Sequence, residues 1–126
     1  MKNIFLDTNI LMDIAENRKK IEFDLSQCIS YISPLSLHIL CYTFKKKIPN
    51  AQIIDITSEF NLISLSDKIT KVALLGPTTD FEDNVQLHSA TEADADYFIT
   101  EDKGLLKIKF FGKTQIVNPN EIIEVF

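Results

Sequence analysis

The sequence predicts a single α/β domain built around a parallel sheet. Short apolar runs with β propensity alternate with stretches in which apolar residues recur at helical spacing, the pattern of successive βαβ units. The 126 residues fit one domain, and neither an internal repeat nor a linker rich in Pro, Gly or Ser divides them. We therefore expect one three-layer α/β/α domain over residues 1–126, with a central parallel sheet of about five strands.

The expected strands are short apolar runs, typical of strands covered on both faces. They are Lys2–Leu6, Gln27–Ile32, Asn61–Leu65, Tyr97–Ile99 and Gln115–Val117.

Helices are predicted where a capping residue precedes apolar residues at helical spacing. Asp7 or Thr8 caps the first, Pro34 opens the second at its first helical position, and Asp80 caps the helix before the fourth strand. The remaining helices are expected from Asn50 to about Phe60, from Asp67 to about Leu75, over Gly104–Lys107 and over Pro119–Ile123.

Charge and hydropathy limit the function classes. The formal net charge of −5 is opposite in sign to that of most nucleic-acid-binding proteins. This objection weakens where acids gather in one cleft, because a divalent cation bound there reverses the local field. The apolar runs are too short to cross a bilayer, and the N-terminus lacks the pattern of a signal peptide. We expect a cytoplasmic protein with no membrane partner.

Two acidic turns follow predicted strands. Asp7 comes directly after the first strand and Asp102 after the fourth, while Asp83 opens the helix that precedes the fourth strand. Ligands of parallel sheets bind beyond the carboxyl ends of the strands, so these side chains meet if the two strands are neighbours. Taken singly, each aspartate also fits a helix cap or a turn. Together they predict a site for Mg²⁺ or Mn²⁺, since these cations prefer carboxylate oxygens and converging carboxylates repel one another without a cation.

The segments around these aspartates resemble the motifs of PIN-domain ribonucleases, in particular the VapC-type toxins of toxin–antitoxin systems. In chain order, the four similar segments are Ile4–Asp13, Ser33–Leu40, Asp80–Gln86 and Ala95–Asp102. Together they span nearly the whole chain.

The resemblance implies a PIN-like fold and hydrolysis of RNA phosphodiester bonds. It implies that Asp7, Asp83 and Asp102 are catalytic residues that ligate the metal. It also implies an antitoxin protein as partner and a homodimer. The residues expected to orient these ligands or to contact substrate are Thr8, Asn9, Asp80 and Thr100.

One position departs from the family pattern. The second motif generally has a glutamate five residues after its serine, and His38 stands at that position here, five residues after Ser33. A histidine can act as a base or shuttle a proton, so His38 is a further candidate catalytic residue, or it merely replaces the acid. Its presence favours one metal over two.

Two alternatives remain open. A catalytically weak or inactive PIN-like module would bind RNA or a protein, and His38 is the feature that favours it. A receiver-like or phosphatase-like domain also gathers acids at strand ends, but Asp7-Thr8-Asn9 lacks the second acid two residues on. Asp13, which is not among the eight predicted site residues, is expected to face solvent or to pair with a nearby lysine.

Overall fold

The computed structural model describes residues 1–125 and contains a six-stranded sheet with helices on both faces. The strand order is β3-β2-β1-β4-β6-β5. All neighbouring strands are parallel except β5 and β6, which are antiparallel. The strands are β1 (Lys2–Leu6), β2 (Cys28–Ile32), β3 (Asn61–Leu62), β4 (Tyr97–Ile99), β5 (Phe110–Phe111) and β6 (Thr114–Val117).

The helices start close to their predicted capping residues. The side chains of Asp7, Ser33 and Asp80 each accept a backbone N–H at the start of a helix. The helices are α1 (Thr8–Ala15), α2 (Pro34–Thr43), α3 (Ala51–Thr57), α4 (Asp67–Ala73), α5 (Phe81–Glu92), α6 (Lys103–Ile108) and α7 (Pro119–Ile123), with a 3-10 turn at Leu25–Gln27. Within residues 1–125, no helix has the length and apolar character needed to cross a bilayer.

The core lies on both faces of the central strand β1. Ile4 and Leu6 pack with Ile10 and other buried residues on one face, because successive strand side chains point to opposite faces. Phe5 lies on the other face, against α5, and its ring stacks on that of Phe98 with centroids 5.7 Å apart. The three-layer fold is therefore confirmed.

The sheet differs from the prediction at its edges. β5 was not expected, because two residues between Lys109 and Gly112 are too few to show a period. It pairs with β6 through a turn in which Gly112 adopts a φ of 60°. At the opposite edge, β3 ends at Leu62, three residues earlier than expected, although the Ile63 N–H still donates to the Ile32 carbonyl.

Candidate metal centre and active site

The two acidic turns lie side by side because β1 and β4 are neighbours. Leu6 pairs with Ile99 in the parallel ladder, and the backbone N–H of Asp7 donates to the Ile99 carbonyl over 3.0 Å. Asp7 is the N-cap of α1 and Asp102 is the N-cap of α6. The juxtaposition that the sequence made conditional on strand order is thus present.

Asp7 is buried and fixed through both oxygens. Only 4% of the surface of Asp7 is exposed. Oδ1 accepts the Thr8 N–H over 2.8 Å, and Oδ2 accepts the Thr100 hydroxyl over 2.7 Å. Burial raises the pKa of Asp7 from 3.8 to about 6, although both hydrogen bonds lower it, and the charges of Glu82 and Asp102 add to the rise.

Thr100 connects the two acidic turns. Its hydroxyl oxygen accepts the backbone N–H of Asp102 over 3.0 Å while its proton goes to Asp7. Thr100 is fully buried, so the bridge is shielded from competing water. These contacts hold Asp7 and the Asp102 turn in fixed positions, whereas the expected contact of Thr100 with metal-bound water or with substrate stays a prediction.

Asp83 lies in the first turn of α5, beside the two turns. Its N–H donates to Oδ1 of Asp80 over 2.8 Å, so one oxygen of Asp80 is used to cap the helix. The pKa of Asp83 is raised from 3.8 to about 7, first by burial and then by the charges of Asp80, Asp7 and others nearby. The carboxylates of α5 and of the two acidic turns are therefore close enough to repel one another.

These side chains line a cleft of about 330 Å³. Its carboxylates come from two strand ends and from the start of α5. The full lining consists of Asp7, Thr8, Asn9, Met12, Ile39, Asp80, Glu82, Asp83 and Asp102. Glu82, Met12 and Ile39 are the lining residues that the sequence did not single out. Glu82 could have been found, because it lies in the same first helical turn as Asp83.

The donor set suits a hard divalent cation in its chemistry. Carboxylate oxygens dominate the cleft, and Oδ1 of Asn9 is buried without a hydrogen-bond partner among residues 1–125. However, within that same range no three His, Cys, Asp or Glu side chains are arranged so that they could hold a metal ion. Mg²⁺ usually keeps several waters and takes one or two protein carboxylates directly. The donor chemistry of the cleft therefore fits a cation that would be held partly through water.

His38 lies outside this cleft lining. It is exposed on α2, and its ring stacks on Tyr42 with centroids 6.4 Å apart. The α2 residue that lines the cleft is Ile39, because positions three apart share a helix face and Ser36 on that face bonds Thr8. A catalytic role for His38 stays a prediction that this position does not support.

A buried polar cluster joins α1, α2 and α5 beneath the cleft. Nε2 of Gln86 donates to Oγ1 of Thr8 and to Oγ of Ser36, each over 2.6 Å, and the two hydroxyls are 2.9 Å apart. Thr8 therefore orients Asp7 through its backbone N–H, while its hydroxyl ties three helices together. Gln86 closes the motif segment Asp80–Gln86, but no role was predicted for it, because its partners are 78 and 50 residues away.

Asp13 does not face solvent, contrary to expectation. It is buried, and its carboxylate lies 2.9 Å from the guanidinium of Arg18. Burial raises the pKa of Asp13 and the charge of Arg18 opposes that rise. Of the two alternatives, solvent exposure was therefore wrong, and the ion pair forms with an arginine and not with a lysine.

Comparisons with known proteins agree with this architecture. A family model described as PIN domain matches residues 3–104. A chain from the crystal structure of VapBC2 from Rickettsia felis, bound to a DNA fragment from their promoter, is similar with a TM-score of 0.63 and 18% identity, over 92% of this chain and 98% of that chain. PAE2754 from Pyrobaculum aerophilum is similar with a TM-score of 0.61 and 16% identity, over 98% of this chain and 94% of that one. No curated protein matches the sequence.

Proposed function

The chain belongs to the PIN-domain family, and on that premise we propose that it is a Mg²⁺- or Mn²⁺-dependent endoribonuclease, the toxin of a toxin–antitoxin pair. The observation that supports this proposal most is the acidic cleft at the carboxyl ends of β1 and β4. A carboxylate buried as deeply as that of Asp7, with further acids facing the same space, is costly unless a cation compensates it.

In this proposal Asp7, Asp83 and Asp102 hold the cation. A divalent cation at this position supplies Lewis acidity toward a phosphoryl oxygen and toward water. The Thr100 hydroxyl and the Thr8 N–H keep the Asp7 carboxylate in one orientation, as outer partners of metal ligands do. Burial and the neighbouring carboxylates raise the pKa of Asp83 to about 7, and a cation held beside it would favour the charged carboxylate.

The toxin assignment and the partners are part of the same proposal. The similarity to a chain of the VapBC2 complex supports it at the level of fold. We expect an antitoxin that covers the cleft, a homodimer and a cytoplasmic location. A short open reading frame for a DNA-binding protein beside this gene would support the pairing.

The first prediction concerns RNA cleavage. The purified protein should cleave single-stranded RNA with Mg²⁺ or Mn²⁺ and stop when EDTA is added. Asp7→Asn should lower the rate by roughly 100-fold or more, the scale of losing one group that stabilises charge in the transition state. The fold should persist, because asparagine also caps helices. Gel electrophoresis of end-labelled RNA measures the rate.

Asp67→Asn is the matched control. Asp67 is exposed on α4, where it pairs with Lys71, and it does not line the cleft. This variant should cleave as fast as the parent. Equal rates for the parent and Asp7→Asn would assign the cleavage to another site or to a contaminant.

The second candidate is a PIN-like module that binds RNA or protein with little or no catalysis. Ile39 favours it, since the α2 position that faces the acids contributes no ligand. Calorimetric titration with Mn²⁺ separates the two functions when it is combined with the cleavage assay. A nuclease should bind Mn²⁺ and cleave, whereas an inactive module should bind Mn²⁺ weakly and leave RNA intact.

A further inference from the structure

A second cleft, rich in lysine, lies on the other side of the Asp102 turn. It has a volume of about 340 Å³, at the lower end of the range for small-ligand sites. Its polar lining comprises Lys19, Lys20, Glu101, Lys103, Asn118 and Asn120. Three lysines face a single glutamate, so this cleft is positive in a chain whose net charge is −5. This local excess of positive charge is opposite in sign to the net charge of the chain.

The lysines differ in their availability. Nζ of Lys19 lies 2.6 Å from Oε2 of Glu101, so its position is fixed by an ion pair. Within residues 1–125, the ammonium groups of Lys20 and Lys103 form no hydrogen bond or ion pair with another residue. The ammonium groups of Lys20 and Lys103 are therefore available to bind an anion, next to the ammonium group of Lys19, which Glu101 holds in place.

The two clefts are joined by consecutive residues. Asp102 lines the acidic cleft, while Glu101 and Lys103 on either side of it line the lysine cleft. A strand of nucleic acid that places one phosphate among the aspartates can therefore place a neighbouring phosphate among the lysines. Lysine ammonium groups bind phosphate as point charges, and such contacts fix the register of a strand without reading its sequence.

The remaining walls suit a nucleoside. Ile21, Leu106 and Pro119 present aliphatic surface between the charged groups. Single-strand sites usually combine a positive groove with aromatic side chains on which bases stack, and here aliphatic contact would take the place of stacking. The far wall is formed by residues after position 104, where the match to the family model ends. The lysines therefore lie within the matched residues, while Leu106, Asn118, Pro119 and Asn120 on the far wall lie beyond them.

We propose that the lysine cleft binds a phosphate of single-stranded RNA next to the phosphate in the acidic cleft, with the attached nucleoside against Ile21 and Pro119. This proposal rests on the proposed function, because it takes RNA as the substrate. It adds a substrate-binding site built from Lys20 and Lys103, with Lys19 held in place by Glu101.

The test is binding without cleavage. Fluorescence anisotropy with a fluorescein-labelled single-stranded RNA in EDTA measures affinity independently of metal chemistry. The double variant Lys20→Ala, Lys103→Ala should raise Kd by about tenfold, equivalent to about 1.4 kcal/mol. The slope of log K against log salt should fall by about 0.7, since the lysine cleft binds one phosphate and each single-strand phosphate contact accounts for about 0.7. The double variant Lys47→Ala, Lys71→Ala removes the same charge from exposed positions outside the cleft and should change Kd less than twofold.

A third variant tests the sign of the effect. Glu101→Gln removes the one negative charge of the lysine cleft and can still accept from Lys19, so it should tighten RNA binding. Absence of RNA binding by the parent, or equal losses in the two double variants, would overturn the proposal. If Lys20→Ala, Lys103→Ala instead lost binding to a polyaspartate peptide and bound RNA normally, the cleft would belong to an acidic protein segment, and the proposal would be wrong.

The outcomes separate this proposal from the nuclease assignment. Lysine-dependent RNA binding without cleavage in Mn²⁺ would retain the phosphate site and reject the nuclease. Cleavage in Mn²⁺ with RNA binding that does not depend on Lys20 and Lys103 would retain the nuclease and reject the phosphate site.

Discussion

The carboxylate of Asp7 is held in place by Thr8 and Thr100 where water is nearly excluded. This arrangement keeps the oxygens oriented before any cation arrives, but it disfavours the charged form of the side chain. Asp7 therefore links two properties that can be measured separately, the stability of the cation-free fold and the affinity for a cation.

The linkage predicts how pH changes the stability of the cation-free protein. The pKa of Asp7 rises from 3.8 to about 6 on folding, and that of Asp83 to about 7. Between the unfolded pKa and the folded pKa of each group, the folded state binds more protons than the unfolded state. The free energy of unfolding therefore falls as pH rises from about 4 to about 7. For Asp7 the loss is on the order of 2–3 kcal/mol.

Urea denaturation in EDTA at about pH 5 and about pH 8 measures this effect. Asp7→Asn should remove most of the Asp7 share of the pH dependence, whereas Asp67→Asn should retain the parent's dependence. The same pH dependence in the parent and in Asp7→Asn would show that folding does not raise the pKa of Asp7.

The identities of single residues were predictable where a motif and a strand end coincide. Asp7, Asp102 and Thr100 follow from their places after β1 and β4. Ile39 was not predictable in the same way, because its approach to the cleft depends on a contact between Ser36 and Thr8, which are 28 residues apart.

At the scale of elements, the segment between α4 and α5 determines where Asp83 lies. Asn84 is buried and forms four side-chain hydrogen bonds. Its Oδ1 accepts the Thr78 N–H over 2.8 Å and the Thr78 hydroxyl over 2.6 Å. Its Nδ2 donates to the carbonyls of Ala73 and Thr78. These contacts tie the end of α4 to the start of α5, and they fix the turn that presents Asp80 and Asp83.

Asn84→Ala should therefore affect both stability and the site. It removes several buried hydrogen bonds and leaves their partners unsatisfied, so the free energy of unfolding should fall by about 2–3 kcal/mol. Affinity for Mn²⁺, measured by calorimetry on the folded variant, should also fall. Asn61→Ala is the control, since Asn61 is exposed on the edge strand β3 and makes one long contact of 3.4 Å. Unchanged Mn²⁺ affinity in Asn84→Ala would contradict the positioning role.

Local signals located most helix starts and the central strands. The N-caps at Asp7 and Asp80 agree with the predicted ones, and the helices expected from Pro34, Asn50 and Asp67 begin within one residue of those positions. A side-chain oxygen next to apolar residues at helical spacing is a short-range feature, so it can be recognised from sequence. The strand β5 was missed because its pairing with β6 depends on a turn at Gly112 and not on its own two residues.

At the scale of the whole molecule, the sheet order creates the site. Thr100 and Asp7 are 93 residues apart and meet only because β1 and β4 are adjacent. No local pattern specifies that adjacency, so the sequence could state it only as a condition. The sheet also places an acidic cleft and a lysine cleft on the two sides of one turn, which offsets the objection raised by the negative net charge.

The central claim is that the acidic cleft binds a divalent cation. The most direct measurement is an anomalous-difference map from a crystal of the protein soaked in Mn²⁺. We predict one strong peak in the cleft within coordination distance, direct or through water, of Asp7, Asp83 and Asp102, and its loss in Asp7→Asn crystals. An empty cleft in parent crystals soaked at saturating Mn²⁺, or a peak of equal height in Asp7→Asn, would contradict the claim.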